Sequence, residues 1–474
     1  MSTLKTFFKD TIIYGLATVL PRLMNFVLVP LHTNILETKS YSDNTTFYVY
    51  AAFFNVLLTY GLETAFFRFF NKSEEKNKVF STAFITLITT STLFLIGSLI
   101  FNKELALLFN LKPIYFNLLI SILVLDTIVV IPFAYLRASK KPIKFAVIKF
   151  SNILIYVLLN VFFLWAIPKY NIAYPGYVKK DIVIYIFIAN LVASCATLVF
   201  LLPYFFKVKF QFSISIFKQL LNYGIPVMVA GVAYVINENF DKWLLPELLG
   251  KSINGAYSGC YKIAVFMTIF IQAFRLGAEP FFFNHAKADN AKETYAIIMK
   301  YFVVFGSAML LFIIAYLDIF KTLIVRDQSY WVAIKIVPIV LLANLFLGIY
   351  FNLAIWYKLT DKTRYGMYLS IIGALITIAF NGIMIQKIGF IASAWATLLA
   401  YGVMMILSYL LGKKHYPVPY NIKSILSYLC VAIGLSLIAL QTQGNYYINT
   451  ALVLVFLTLI FVLEKKTIKQ ILKP

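Results

Sequence analysis

Residues 114–136 read IYFNLLISILVLDTIVVIPFAYL, a stretch of 23 residues that contains one charge, Asp126. About 20 apolar residues in helical form cross the ~30 Å hydrocarbon core of a bilayer, so this stretch predicts a membrane span with a carboxylate near its centre. Windows of the same kind recur outward in both directions, at approximately 11–34, 44–67, 79–101, 145–167, 181–202, 217–240, 254–283, 294–317, 331–356, 365–386, 390–411, 424–440 and 446–463. The composition agrees: 61% of the 474 residues are hydrophobic and 13% charged, against roughly 45–50% and about 25% in soluble domains. One soluble core could not bury that much apolar surface. The expected fold class is an all-α polytopic membrane protein of about 14 transmembrane helices.

A net charge of +23 would suggest nucleic acid in a soluble protein. Here Lys and Arg collect in one set of loops, as in Arg137, Lys140, Lys141 and Lys144 after the fourth span and Lys465, Lys466, Lys469 and Lys473 after the last. An even span number puts both termini on that side, and the basic excess makes it the cytoplasm. No nucleic-acid partner is needed to explain the charge. The first span lacks a short apolar core with a small-residue cleavage site, so it is expected to stay as a helix. Cys195, Cys260 and Cys430 have no metal or redox spacing, and no metal or cofactor is expected. No GxxxxGK[ST] or HExxH occurs, and no connection has the length of a folded domain. A transporter is favoured over an enzyme, and no catalytic residues are assigned.

An internal repeat organises the spans. Phe8-Lys9-x4-Tyr14-Gly15 opens the first, and Phe217-Lys218-x4-Tyr223-Gly224 opens the seventh. Gly61-x-Glu63-x2-Phe66-Phe67 ends the second, and Gly277-x-Glu279-x2-Phe282-Phe283 ends the eighth. Repeats six spans apart have the same orientation, which is the parallel kind found among secondary transporters. The chain is therefore expected to form two six-helix lobes, 1–210 and 211–412, with helices 13–14 and a basic tail in 413–474. The substrate path should lie between the lobes.

Polar residues fall on single faces of spans one, two, seven and eight. Span one carries Thr11, Gly15, Thr18, Arg22 and Asn25; span two carries Tyr48, Asn55, Thr59 and Glu63. Span seven has Gly224, Gly231, Tyr234, Glu238 and Asp241, and span eight Tyr257, Tyr261, Thr268, Gln272, Arg275 and Glu279, with Lys262 beside them. Such residues line a path or simply join helices. Arg275 and Glu279, one turn apart, also suit an intrahelical pair. Arg68, Lys149 and Lys335 fall near span ends and read as snorkelling cations. Arg22 sits near mid-depth, where a guanidinium costs at least ~2.5 kcal/mol, and reads as functional. For Asp126, proton or cation coupling and a structural partnership both stand open. His32, His285 and His415 lie in or near loops without evident chemistry.

Further stretches carry a family resemblance. They are TyrGlyLeuGluThrAlaPhePheArgPhePhe at 60–70, Asp126 followed by IleProPheAlaTyrLeuArg at 131–137, Phe240-Asp241-Lys242, GlyAlaTyrSer at 255–258, Tyr261-Lys262, and PheArgLeuGlyAlaGluProPhePhePhe at 274–283. The chain resembles the polysaccharide-biosynthesis (lipid-linked oligosaccharide) flippase branch of the multidrug/oligosaccharidyl-lipid/polysaccharide exporter superfamily. The resemblance implies two bundles forming a V around a cavity lined by spans one, two, seven and eight. It implies alternating-access transfer of an undecaprenyl-diphosphate-linked oligosaccharide across a bacterial inner membrane, for surface polysaccharide biosynthesis. Implied partners are the lipid-linked oligosaccharide, the bilayer, a proton or sodium ion, and polysaccharide assembly enzymes. Spans thirteen and fourteen look like the pair that accompanies a lipid-tail groove in the peptidoglycan-precursor flippases.

The expected substrate-binding set is Arg22, Asn25, Asn55, Tyr257, Tyr261, Lys262, Gln272 and Arg275, since a diphosphate favours Arg and sugar hydroxyls favour Tyr, Asn and Gln. The coupling candidates are Glu63, Asp126 and Glu279. Two rivals stand beside this reading. A multidrug cation antiporter of the same fold would favour a net acidic cavity, and the basic intramembrane residues outnumber the acidic ones. A membrane polymerase or ligase of lipid-linked glycan would favour a long outer loop, and none is present.

Overall fold

The structure is a computed structural model that describes residues 23–205 and 211–471, with side chains described as far as 465. Every regular element among the described residues is helical. Thirteen helices have the length and apolarity of a membrane span, so the chain is a multi-pass membrane protein. We number the helices α1 Leu23–Ile35, α2 Thr38–Lys72, α3 Lys76–Ile100, α4 Pro113–Ala138, α5 Pro142–Tyr170, α6 Ile184–Phe205 and α7 Ile214–Leu249. They continue as α8 Lys251–His285, α9 Ala291–Ala315, α10 Gln328–Leu359, α11 Arg364–Ile388, α12 Ile391–His415, α13 Ile422–Gln441 and α14 Tyr446–Lys465. The short α1 is the described part of the expected first span. The other thirteen coincide one for one with the remaining expected spans, and several run past the sequence-based limits. The largest is α7, whose 36 residues give about 54 Å of helix at 1.5 Å per residue, more than the hydrocarbon core requires.

The helices pack into two compact units, Met1–Ser258 and Gly259–Pro474. In the first, α7 packs on α2 and α3, and α6 on α4 and α5. Glycines set the α2–α7 approach. A Cβ on Gly224 would lie 2.4 Å from the Tyr60 carbonyl oxygen, and one on Gly61 would lie 2.4 Å from the Gly224 carbonyl oxygen. Gly231 likewise admits Val56, whose Cγ1 would be 2.9 Å from a Cβ there. Lipid tails are as apolar as the side chains, so close backbone packing takes over from hydrophobic burial as the cause of association. At the same point α2 breaks, with Tyr60 at φ 52° and Gly61 at φ 66°. The second unit is built around α9, α10 and α12: α10 and α11 pack on α12, and α13 and α14 on α9.

Proline and polar side chains account for the irregularities. Pro132 lacks the N–H that the Ile128 carbonyl would accept in a regular helix, and α4 is interrupted at Val129, three residues beyond Asp126. In α8 a 3₁₀ turn occupies Lys262–Ala264, and Asn344 of α10 donates through Nδ2 to the Ala264 carbonyl at 3.2 Å. Irregular backbone at membrane depth is tolerated where protein groups satisfy it in this way.

The structure adds two correspondences to the repeat. Glu63 of α2 accepts from Arg137 Nη1 at 2.8 Å, one residue before the end of α4. Glu279 of α8 accepts from Lys358 Nζ at 2.8 Å, one residue before the end of α10. Asn160 of α5 donates to the carbonyl four residues back, at Tyr156, and Asn381 of α11 does the same to Thr377. The repeat thus keeps ion pairs and polar contacts as well as aromatic motifs.

Candidate functional site

In the second unit, Glu279 gathers two cations. Arg275 Nε and Nη2 donate to Glu279 Oε1 at 3.0 and 2.9 Å across one turn of α8, and Lys358 reaches the same oxygen at 2.8 Å. The Arg275 guanidinium carbon also lies 4.0 Å from the centroid of Phe351. The intrahelical pair allowed by the spacing is therefore formed, and it is part of a triad with a net positive charge. All three side chains are partly exposed, and both cations keep N–H donors beyond those given to Glu279. Chemically the cluster can receive an oxyanion such as a phosphate. Sequence reasoning missed Lys358, because the apolar window for the tenth span stopped at 356 whereas α10 runs to Leu359. The signal that could have found it is the repeat, since Arg137 ends α4 in the corresponding position.

The remaining expected binding residues are spread along the chain. Arg22 lies outside the described residues. Asn25 is exposed on α1, and Asn55 is partly buried on α2. Tyr257 is fully buried in the first unit, where its hydroxyl donates to Asp241 Oδ2 at 2.7 Å. Asp241 also accepts from Lys242 Nζ at 3.0 Å. Tyr257 is thus committed to a buried ion pair rather than offered to a ligand. Tyr261 is buried, whereas Lys262 and Gln272 are partly buried. The 3₁₀ turn at 262–264 divides the polar seam of α8 between Tyr261 and Thr268. Periodicity alone cannot register such a change of pitch.

The coupling candidates differ in their surroundings. Glu63 and Glu279 are ion-paired, to Arg137 and to Arg275 with Lys358. Asp126 has no cation within salt-bridge distance among the described residues; Ser194 of α6 donates to its Oδ1 at 2.7 Å. Lys149, which the sequence suggests as a snorkelling cation, belongs to α5. The helix starts at Pro142, which places Lys149 two turns inside α5, over the ring of Phe133 at 4.2 Å. Arg68 lies at the α2 end of the unit, 4.6 Å from the Tyr223 ring centroid. His32 is also corrected: it is buried in α1 and hydrogen-bonded through Nε2 to Asn160 Oδ1 at 2.9 Å.

The interior of the first unit holds further polar contacts among α1, α2, α5 and α6. Asn152 of α5 donates to Thr197 of α6 at 2.9 Å. The hydroxyls of Tyr48 and Tyr156 are 3.2 Å apart, and Asn190 donates to the Tyr48 hydroxyl at 3.2 Å. Asn160 then joins the Tyr156 carbonyl to His32. On α5, Lys149, Asn152, Tyr156 and Asn160 form a helical stripe, on a span outside the four whose polar faces stand out in the sequence.

A multi-span all-α fold with a parallel repeat and buried polar clusters defines the class of a membrane transporter. Comparison with known proteins makes the class specific. The family described as Polysaccharide biosynthesis protein matches residues 7–278, and the one described as MatE matches residues 226–383. The chain belongs to the polysaccharide biosynthesis protein family, in the flippase branch of the superfamily that its sequence resembles. An Lsg-locus protein of Haemophilus influenzae is 21% identical over 290 residues, covering 59% of this chain and 67% of that protein. Among solved structures, the lipid II flippase MurJ in an inward closed conformation has a TM-score of 0.74 at 17% identity, over 96% of this chain and 100% of that one. An inward-facing multidrug resistance MATE transporter has a TM-score of 0.67 at 13% identity, over 86% and 96%. These structures share the fold.

Proposed function

We propose that this protein is a flippase that moves an undecaprenyl-diphosphate-linked oligosaccharide from the cytoplasmic to the outer leaflet of a bacterial inner membrane, for surface polysaccharide assembly. Membership of the polysaccharide biosynthesis family supports the substrate class. The observation that carries the reading is the Arg275–Glu279–Lys358 cluster, a net cationic, partly open site on membrane-spanning helices. A diphosphate entering there replaces or shares Glu279 as the acceptor, gaining charge-assisted hydrogen bonds from both cations. A cationic drug would be repelled, which favours the flippase over the antiporter of the same fold. Arg22 enters the proposal as a second guanidinium, and Asn25, Asn55, Lys262 and Gln272 as sugar or phosphate contacts. The two repeat lobes, 1–210 and 211–412, are the moving bodies of an alternating-access cycle, with both termini cytoplasmic. Assembly enzymes would consume the product on the outer side.

The test is transport of a fluorescent polyprenyl-diphosphate monosaccharide in proteoliposomes, read as loss of reagent accessibility in the donor leaflet. Wild-type protein should move the probe. Normally abundant Arg275→Ala and Lys358→Ala proteins should each be impaired, and Arg275→Lys should be intermediate because it keeps the charge and loses the planar fork. Wild-type transport of cationic dyes without transport of the lipid probe would overturn the reading in favour of the antiporter.

A further inference from the structure

Arg275 precedes Glu279 by one helical turn, and a cation N-terminal to its acid supports a helix less than the reverse order does. The stability of α8 therefore does not account for the pair. Exposure separates it from other ion pairs of the spans. Asp241 with Lys242 and Glu464 with Lys300 hold carboxylate side chains that are 4% exposed, and removing either partner there strands a buried charge. Glu279 is 33% exposed, with Arg275 at 29% and Lys358 at 25%. Pairs this open to their surroundings are individually weak, so Glu279 can lose and regain its partners without unfolding the unit.

Three hydrogen bonds from two residues converge on one atom, Glu279 Oε1. A guanidinium and an ammonium meeting at one oxygen is also how a phosphate oxygen is held, so Oε1 stands where the oxyanion of a ligand would stand. Both cations lie within hydrogen-bond distance of that oxygen, close enough for their like charges to repel. The carboxylate offsets this repulsion. Arg275 has a second hold, since its guanidinium carbon lies 4.0 Å from the Phe351 ring centroid, and a cation–π contact of this kind persists when the carboxylate leaves. Carboxylate, cation and ring recur at the corresponding helix ends of the first unit. There Glu63 accepts from Arg137, whose guanidinium carbon lies 5.7 Å from the Phe67 centroid.

We propose that Glu279 is an internal counter-anion, which fills the diphosphate site between transport events, is displaced when the phosphate of the lipid binds, and returns to expel it. The inference rests on the flippase reading for its ligand. A carrier must bind its cargo firmly enough to take it up and weakly enough to let it go. Each bond that a phosphate gains from Arg275 or Lys358 replaces one given to Oε1, so the net gain is only the difference between two anionic acceptors. As the phosphate leaves, Oε1 takes back the same donors, and neither cation is left unpaired. Glu279 is thus a positioning residue that sets how long the cargo stays.

Binding and flipping of the fluorescent polyprenyl-diphosphate monosaccharide test this together. With protein in nanodiscs, Glu279→Gln should bind the probe about tenfold more tightly than wild type, because a charge-assisted hydrogen bond is no longer given up. Chase with unlabelled lipid should show the gain as slower dissociation. In proteoliposomes the same variant should have a lower half-saturating concentration and a lower maximal rate, a split that loss of folded protein does not produce. Glu279→Asp keeps the charge but draws it back by one methylene, so it should fall between wild type and Glu279→Gln on both readouts. Binding that is unchanged or weaker in Glu279→Gln, or in Glu279→Asp should the first protein not be recovered, would overturn the proposal. Inorganic pyrophosphate separates the exchange from the cargo. It too should bind more tightly to Glu279→Gln, and if it does while wild type neither binds nor moves the lipid probe, the flippase reading fails and the exchange stands. No tightening with pyrophosphate overturns the exchange itself.

Discussion

The glycine contact between α2 and α7 predicts the cost of a single methyl group. In Gly224→Ala the new Cβ would stand 2.4 Å from the Tyr60 carbonyl oxygen, where ordinary contact begins at 3.4 Å. The obstacle is backbone, so the helices must separate by about 1 Å, and overpacking of this kind costs about 1–3 kcal/mol. Alanine returns about 1 kcal/mol of helix propensity at that position, which leaves a net loss of roughly 0–2 kcal/mol. Gly61→Ala meets the same contact from the other side, 2.4 Å from the Gly224 carbonyl oxygen. It also holds φ at +66°, where a side chain costs roughly 1–2 kcal/mol more. It gains no helix propensity at a break, so its loss should be about 2–5 kcal/mol. Gly97→Ala, with nothing within 4 Å of its Cβ, is the control and should be neutral or stabilising by up to about 1 kcal/mol. Unfolding of the purified protein in mixed micelles with rising dodecyl sulfate, followed by tryptophan fluorescence, gives the three free energies. The double variant Gly61→Ala, Gly224→Ala should fall short of the sum, because one separation relieves both clashes. A Gly61→Ala protein as stable as wild type, or a strictly additive pair, would refute the backbone contact.

Two further predictions follow from other parts of the chain. Glu464 near the end of α14 is buried and receives Lys300 at 2.5 Å, Tyr301 at 2.9 Å and Tyr428 at 2.7 Å, so Glu464→Gln should cost roughly 3–5 kcal/mol by leaving a cation and two hydroxyls poorly paired. Limited proteolysis should then release α13 and α14 earlier than in wild type, and an unchanged digestion rate would show that the clasp does not hold the pair. Cysteine labelling at position 447, exposed at the start of α14, should occur from outside intact cells and labelling at position 423 from inside only; the reverse pattern would overturn the orientation.

Much of the architecture was legible in the sequence because a bilayer makes one demand of every span. Backbone groups must be satisfied within the segment and side chains must be apolar, so thirteen of the expected spans reappear at nearly the same positions, with the described part of the first beside them. The parallel repeat was legible for the same reason that it is repeated, since equivalent environments kept Tyr-Gly and Gly-x-Glu motifs recognisable at equivalent helix ends. What periodicity could not supply was the partner of each polar group. Spacing offered Glu63 no partner and Glu279 only Arg275, until the ends of α4 and α10 brought Arg137 and Lys358 to them. Nothing in the spacing showed that Lys149 lies over the ring of Phe133, and His32 looked like a loop residue until α5 placed Asn160 against it. Tyr257 looked available to a ligand and is held by Asp241. A sequence records which residues a helix presents and at what spacing, because that depends on the chain alone. Which of them meet depends on how helices far apart in sequence approach one another, and here that approach is set by glycine contacts, a broken helix and a proline-interrupted span that act only once the chain is folded.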